Sequence, residues 1–229
     1  DVDGNGSVDG VIYADLAIEV SGTWNTSGNS SYDDYGKYTI PREYRLKQYK
    51  ISKTNYSDDF GTKDVLAVAN SSGNERFYVM ALDDVDASRH CWYDAAWDGS
   101  GMTDWESTTS TSFGSGKQNT KNMIAKWNSS AYGSQNEDSS SPDMWGVSVV
   151  QSKINDNPAW YVPSKEEWLA FGSQLGITKG NYGNKELSNW YWSSSQCNSI
   201  LAWNANFNLG YMISKLVNNR SYVRLGVTF

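Results

Sequence analysis

The chain has 229 residues, a net charge of -7 and 38% hydrophobic residues. That is enough length to bury a core without covalent staples, and too little cationic charge for a phosphate-neutralising nucleic-acid binder. Eleven Trp and fifteen Tyr beside modest aliphatic content point to a core of large rings and a surface of rings with polar tips, which suits binding.

In chain order, Asp1, Asp3, Asn5, Gly6 and Asp9 space oxygens as calcium loops do. Ile12 stands where an EF-hand carries its bidentate Glu, so a repeat-type calcium loop or a bare turn fits better. Asp1, Asp3, Asn5 and Asp9 are the candidate metal ligands, with calcium the candidate ion and no cofactor otherwise required. Residues 1–60 are polar and turn-rich and are expected to form an N-terminal extension or insert packed on a ligand-binding domain over 61–229. Residues 11–17 fit a strand end or a short helix equally well. Residues 65–69 and 76–82, separated by Asn70-Ser71-Ser72-Gly73-Asn74, predict a hairpin.

Asp83-Asp84-Val85-Asp86, and Asp104 with Glu106, offer paired carboxylates of the kind glycoside hydrolysis needs on either side of one bond. Chain neighbours do not define that gap, so solvated acidic loops are expected. His90 beside Cys91 suggests a thiol-imidazole dyad, but sequence neighbours rarely aim at each other and no third group orients the base, so a structural His is expected. Cys91 and Cys197 are too distant in sequence for a metal knuckle or a disulfide framework and read as two unpaired thiols.

Gly114-Ser115-Gly116-Lys117 lacks the full phosphate-loop spacing and instead shapes the entry to a helix over 121–128. Asn119 or Thr120 is its expected cap, with Met123, Ile124 and Trp127 on one face. Residues 129–142 read as a low-complexity loop. After Pro163, Ser164 and Glu167 stand at capping-box spacing, Trp168, Phe171 and Leu175 share a face, and Gly176 stops the helix. Strands are expected at 189–193, 202–207 and 221–229. Short antiparallel strands, about two main helices and long irregular loops make the class α+β.

Residues 211–219 mix Tyr, Ile, Leu and Val with Ser, Asn and Lys without a sustained period of 2 or 3.6, so they are expected to be neither strand nor helix but a surface that varies. No Asp or Glu follows Glu186, so Trp203-Asn204-Ala205-Asn206 lacks the acid that calcium-mediated sugar binding needs. Trp192 and Trp203 are expected in the core. No apolar run approaches a membrane span, and the opening at Asp1 fits a soluble mature or excised fragment, without membrane insertion.

Five phrases carry a resemblance, in order: Gly114-Ser115-Gly116-Lys117-Gln118-Asn119-Thr120, Trp160-Tyr161-Val162-Pro163-Ser164-Lys165-Glu166-Glu167-Trp168, Tyr191-Trp192-Ser193-Ser194-Ser195, Ala202-Trp203-Asn204 and Tyr222-Val223-Arg224. Over roughly residues 80–229 the chain resembles the C-type-lectin-fold variable proteins of diversity-generating retroelements, of the formylglycine-generating-enzyme-like subtype, and their non-diversified bacterial adhesin relatives. The ending Leu225-Gly226-Val227-Thr228-Phe229 departs from the pattern of many relatives.

The resemblance implies a C-type lectin fold with a variable region at about 189–222, where Asn codons are rewritten by adenine-directed mutagenesis. That process cannot create Trp, Lys, Met or Gln, so Trp190, Trp192, Gln196, Trp203, Met212 and Lys215 are expected to be fixed. The implied ligand-binding positions are Tyr191, Cys197, Asn198, Ile200, Leu201, Asn204, Asn206, Leu209, Tyr211, Ile213, Ser214, Leu216, Val217, Asn218, Asn219, Arg220 and Tyr222. Tyr211, Ile213, Leu216 and Val217 are expected to contribute most, as the apolar members of an exposed cluster.

The expected function is binding of a protein or glycan on another cell's surface, in an extracellular, cell-surface or phage-virion setting, with no enzymatic activity and no nucleic-acid partner. A non-diversified adhesin or carbohydrate-binding module of the same fold is the rival. The related formylglycine-generating enzymes need paired cysteines, and only Cys197 lies in the corresponding region.

Overall fold

The computed structural model describes residues 8–15, 32–34, 55–58, 61–64, 77–97, 101–129, 131–133, 135–137 and 140–228. Its strands are β1 (Gly10–Asp15), β2 (Tyr32–Asp34), β3 (Asn55–Asp58), β4 (Gly61–Asp64), β5 (Phe77–Asp84), β6 (His90–Cys91), β7 (Trp190–Asn198), β8 (Leu201–Asn206), β9 (Tyr211–Leu216), β10 (Arg220–Ser221) and β11 (Arg224–Thr228). Its α-helices are α1 (Trp105–Thr108), α2 (Gly116–Asn128), α3 (Ser152–Asp156) and α4 (Lys165–Gln174). Helices and antiparallel sheets of short strands make the chain mixed α+β. Among the described residues no helix is long and apolar enough to cross a membrane.

One sheet runs β1-β5-β11 and another β2-β9-β8-β7. The apolar run Tyr78-Val79-Met80 is buried at consecutive positions, as a central strand requires, and both edges of β5 are occupied by β1 and β11. The strand is therefore not the second arm of the expected hairpin, whose first arm, 65–69, lies outside the described residues. Long-range pairing supplied what the turn-rich linker seemed to supply. Residues 10–15, placed by sequence in the extension, are a strand of this sheet, with Tyr13 and Ala14 in the core.

Residues 211–216 form a strand, contrary to the expectation for that stretch. β9 lies between β8 and β2, so its backbone groups are paired on both sides while several of its side chains keep contact with solvent. Without one dry face and one wet face there is no hydrophobic alternation to read.

The capping box of α4 forms as expected, with the Glu167 backbone N–H donating to Ser164 Oγ and the Glu167 carboxylate accepting from the Ser164 N–H at 2.5 Å. Gly176 follows the helix at φ +58°, the left-handed stop that glycine tolerates. The helix α2 starts earlier than expected, at Gly116, and neither Asn119 nor Thr120 caps it. Asn119 instead bonds both backbone groups of Ser110, at 2.8 and 2.7 Å, and Thr120 Oγ1 accepts from the Val162 N–H at 2.9 Å. Both side chains tie the helix to flanking loops, a use that local spacing does not distinguish from capping.

Two buried clusters lie on opposite sides of β7. Tyr191 enters the first, with Trp168, Phe171, Trp203, Phe207 and Met212, and its ring stacks on Trp168 with centroids 5.0 Å apart. Its neighbour Trp192 enters the second, with Trp92, Trp127, Trp145, Val217 and Leu225. Period-two alternation thus feeds one strand into two cores. Each buried ring contributes about 1.5–3 kcal/mol. Trp192 and Trp203 are core residues, as the sequence suggests.

Candidate ligand-binding site

The register of β7, β8 and β9 sets side chains in rows. Trp190, Asn206 and Tyr211 form one row, Trp192, Asn204 and Ile213 the next, and Gln196, Ala202 and Lys215 a third, all on one face because side chains alternate. Lys215 Nζ lies 4.2 Å from the centroid of the Trp190 ring and 5.9 Å from that of Trp192. Since Trp190 and Lys215 belong to the two strands that flank β8 and to the outer two of these rows, their contact crosses diagonally over Asn204.

Beneath this contact, Ser221 Oγ accepts from Asn204 Nδ2 at 2.8 Å and from Lys215 Nζ at 3.4 Å. Asn206 Oδ1 accepts from the Leu209 N–H at 3.1 Å and so closes the turn between β8 and β9. Asn204 Oδ1 and Asn206 Nδ2 are buried without a hydrogen-bond partner among the described residues. Such groups are costly to leave unpaired. Among the residues whose side chains are described no carboxylate pairs with Lys215, and burial, then the nearby Arg89 charge, pull its pKa down to about 8.

The structure does not gather the expected ligand-binding positions onto one face. Tyr191, Asn204, Asn206 and Val217 are buried, a correction to their expected exposure. Tyr191 and Val217 are drawn into the two cores, and the asparagines lie under Trp190 and Lys215. Tyr211 and Ile213 share the face of Lys215, whereas Ser214 and Leu216 point to the other side of β9. Tyr211, Ile213, Leu216 and Val217 are therefore not a single cluster, because an extended backbone separates odd from even positions.

Ile200, Leu201, Asn218, Asn219 and Arg220 collect at the end of the sheet where the Val217 N–H donates to the Ile200 carbonyl at 3.0 Å. Asn198 belongs to this end structurally, its Oδ1 accepting from the N–H groups of Ile200 and Leu201, both at 2.9 Å. Leu209 is exposed at the opposite end. Cys197 is half-buried, with burial raising its thiol pKa, and Tyr222 bridges to Tyr191.

The sequence places Lys215 and Trp190 in the fixed framework rather than in a site. The signal available in the sequence was the lack of any acid after Glu186, which leaves Lys215 without a local counter-charge.

The remaining candidates resolve into structural roles. His90 Nε2 faces the Asp86 carboxylate at 2.9 and 3.0 Å, while Cys91 Sγ meets the Asn218 carbonyl at 3.3 Å, so the two do not form a dyad. Burial raises the Cys91 thiol, and both cysteines are free. Asp84 pairs with Arg224 at 2.7 Å, and Asp104 with Lys126 and Tyr132.

Asp9 and Asp83 line a cleft of about 400 Å³ with Lys153, Asp156 and Trp160. Asp1, Asp3 and Asn5 lie outside the described residues, among which no group of three or more His, Cys, Asp or Glu is placed to hold a metal.

No protein-family profile and no curated protein matches the chain. A solved structure to which it is similar is a fimbrial protein from Bacteroides ovatus ATCC 8483, at a TM-score of 0.44 and 17% identity. The match covers 71% of this chain and 38% of that one, so the chain spans well under half the length of the fimbrial protein.

Proposed function

We propose that the chain is a non-enzymatic ligand-binding protein of C-type-lectin type, carried at a cell surface or on a virion. Its recognition surface is the partly exposed part of the Lys215 face, Trp190, Tyr211, Ile213 and Lys215, together with the turns at 198–200, 207–210 and 216–220. Within that surface, Ile200, Leu209, Tyr211, Ile213, Leu216, Asn219 and Arg220 are the positions exchanged by retroelement-directed mutagenesis. The observation that carries this reading is the way burial divides the terminal region. Of the six residues that adenine mutagenesis of Asn codons cannot create, Trp192, Gln196, Trp203 and Met212 are buried and Trp190 and Lys215 are partly exposed, while the seven exchangeable positions reach solvent. A rigid framework beneath exchangeable side chains lets ligands change without refolding the scaffold, and limits the entropy lost on binding.

The test is to sequence the DNA around the gene in several isolates. The reading expects a reverse-transcriptase gene, a template repeat that differs from the coding copy at adenines, and substitutions that fall on those seven positions while sparing Tyr191 and Val217. Identical copies with no template repeat would sink the diversification and leave a non-diversified adhesin or carbohydrate-binding module.

A further inference from the structure

We propose that the nest formed by Lys215, Asn204, Asn206 and Ser221 beneath the Trp190 ring takes a carboxylate-bearing sugar residue. The inference rests on the binding part of the function proposed above and is independent of diversification.

Each group calls for a complementary partner. Lys215 carries a half-buried ammonium with no carboxylate partner among the residues whose side chains are described. Asn206 Nδ2 is a buried donor, and Asn204 Oδ1 a buried acceptor, neither of them satisfied among the described residues. The two asparagines are same-face neighbours on β8, hence about 7 Å apart along the strand, the scale of a single pyranose with its substituents.

A ligand carboxylate bridging Lys215 Nζ and Asn206 Nδ2 would neutralise the first and satisfy the second, while a hydroxyl on the same ring donates to Asn204 Oδ1. Lys215 is tied to Ser221, and through it to Asn204, by one bond of 3.4 Å, so its flexible chain can lift to admit the ligand. The Trp190 indole, partly exposed, offers a flat apolar surface to the C–H face of the sugar.

An extended acidic peptide fits this place less well. Strand addition needs a free sheet edge. Here β9 lies between β8 and β2, and the outer edge of β7 is taken by Tyr222, which pairs with Trp190 and Trp192, and by the Pro163 carbonyl, which accepts from Ser194. Beside the nest itself, where these edges are filled, recognition goes through side chains, which favours a compact ring over a backbone.

The experiment titrates the whole chain with methyl glucuronide, methyl N-acetylneuraminide, neutral methyl glucoside and a hexaglutamate peptide, followed by calorimetry and saturation-transfer NMR. Binding of at least one carboxylated sugar with a Kd of about 1 mM, and about tenfold preference over the neutral sugar, is expected. Lys215→Met should abolish the preference and Lys215→Arg restore it. Asn206→Asp keeps the acceptor for Leu209 but replaces the free donor by a carboxylate oxygen, and should lose the acidic sugars, at a cost in unfolding temperature because the site is buried.

Equal binding of neutral and acidic sugars, a preference that survives Lys215→Met, or binding of the peptide alone would each overturn the inference. So would the absence of sugar binding up to about 20 mM, some twentyfold above the expected Kd. Neutral-sugar binding lost on Tyr211→Ala would overturn the carboxylate specificity while upholding the recognition face.

Discussion

Glu167 offers a direct reading of how burial competes with helix capping. Its carboxyl, 1% exposed, accepts from the Ser164 N–H at the start of α4, and burial raises its pKa from the usual 4.5 to about 7 against the lowering effect of Ser164, Tyr161 and Gly116. The folded-state value lies above the unfolded one, so the contribution to stability is fully present below about pH 4.5. It is lost as pH rises through about 7. At roughly 1.4 kcal/mol for each pH unit, the interval amounts to about 3 kcal/mol.

Glu167→Gln keeps an acceptor for Ser164 and does not ionise. Urea unfolding of both proteins at pH 4.5, 6 and 8, followed by Trp fluorescence, should show the native chain losing about 3 kcal/mol relative to the variant across that range. A constant difference would refute the reasoning, and a native chain that gained on the variant as pH rose would show that the capping donors outweigh desolvation.

Gly116 has no room for a side chain, since an added Cβ would lie 2.8 Å from the Val162 carbonyl and 2.9 Å from the Ser164 nitrogen and would also meet the Glu167 carboxylate. Gly116→Ala should therefore destabilise by about 2–3 kcal/mol in urea unfolding, despite the better helix propensity of Ala. Arg224→Met leaves Asp84 unpaired with its side chain only 16% exposed, and thermal unfolding should report a loss of about 3 kcal/mol. The division of the terminal region predicts that Leu209→Ser and Arg220→Ser change stability by no more than about 0.5 kcal/mol, whereas Val217→Ala costs about 1–3 kcal/mol. Comparable losses at all three positions in chemical denaturation would remove the distinction between surface and framework.

The sequence by itself determined features whose physics is local. The capping box at Ser164 and Glu167, the left-handed stop at Gly176 and the core preference of Trp168 and Trp192 all follow from spacing and residue type, because each involves neighbours within a few turns or one large apolar ring. Tertiary structure decided what depends on register.

The pairing of β5 with β1 and β11 displaced an expected hairpin, and the seat of β9 between two strands turned an apparently unpatterned stretch into a strand. The same alternation sent Tyr191 and Trp192 into different cores and split Tyr211 and Ile213 from Leu216. Lys215 and Trp190 meet across Asn204 only because β7 and β9 flank β8 in this register, a long-range fact that no local sequence spacing encodes.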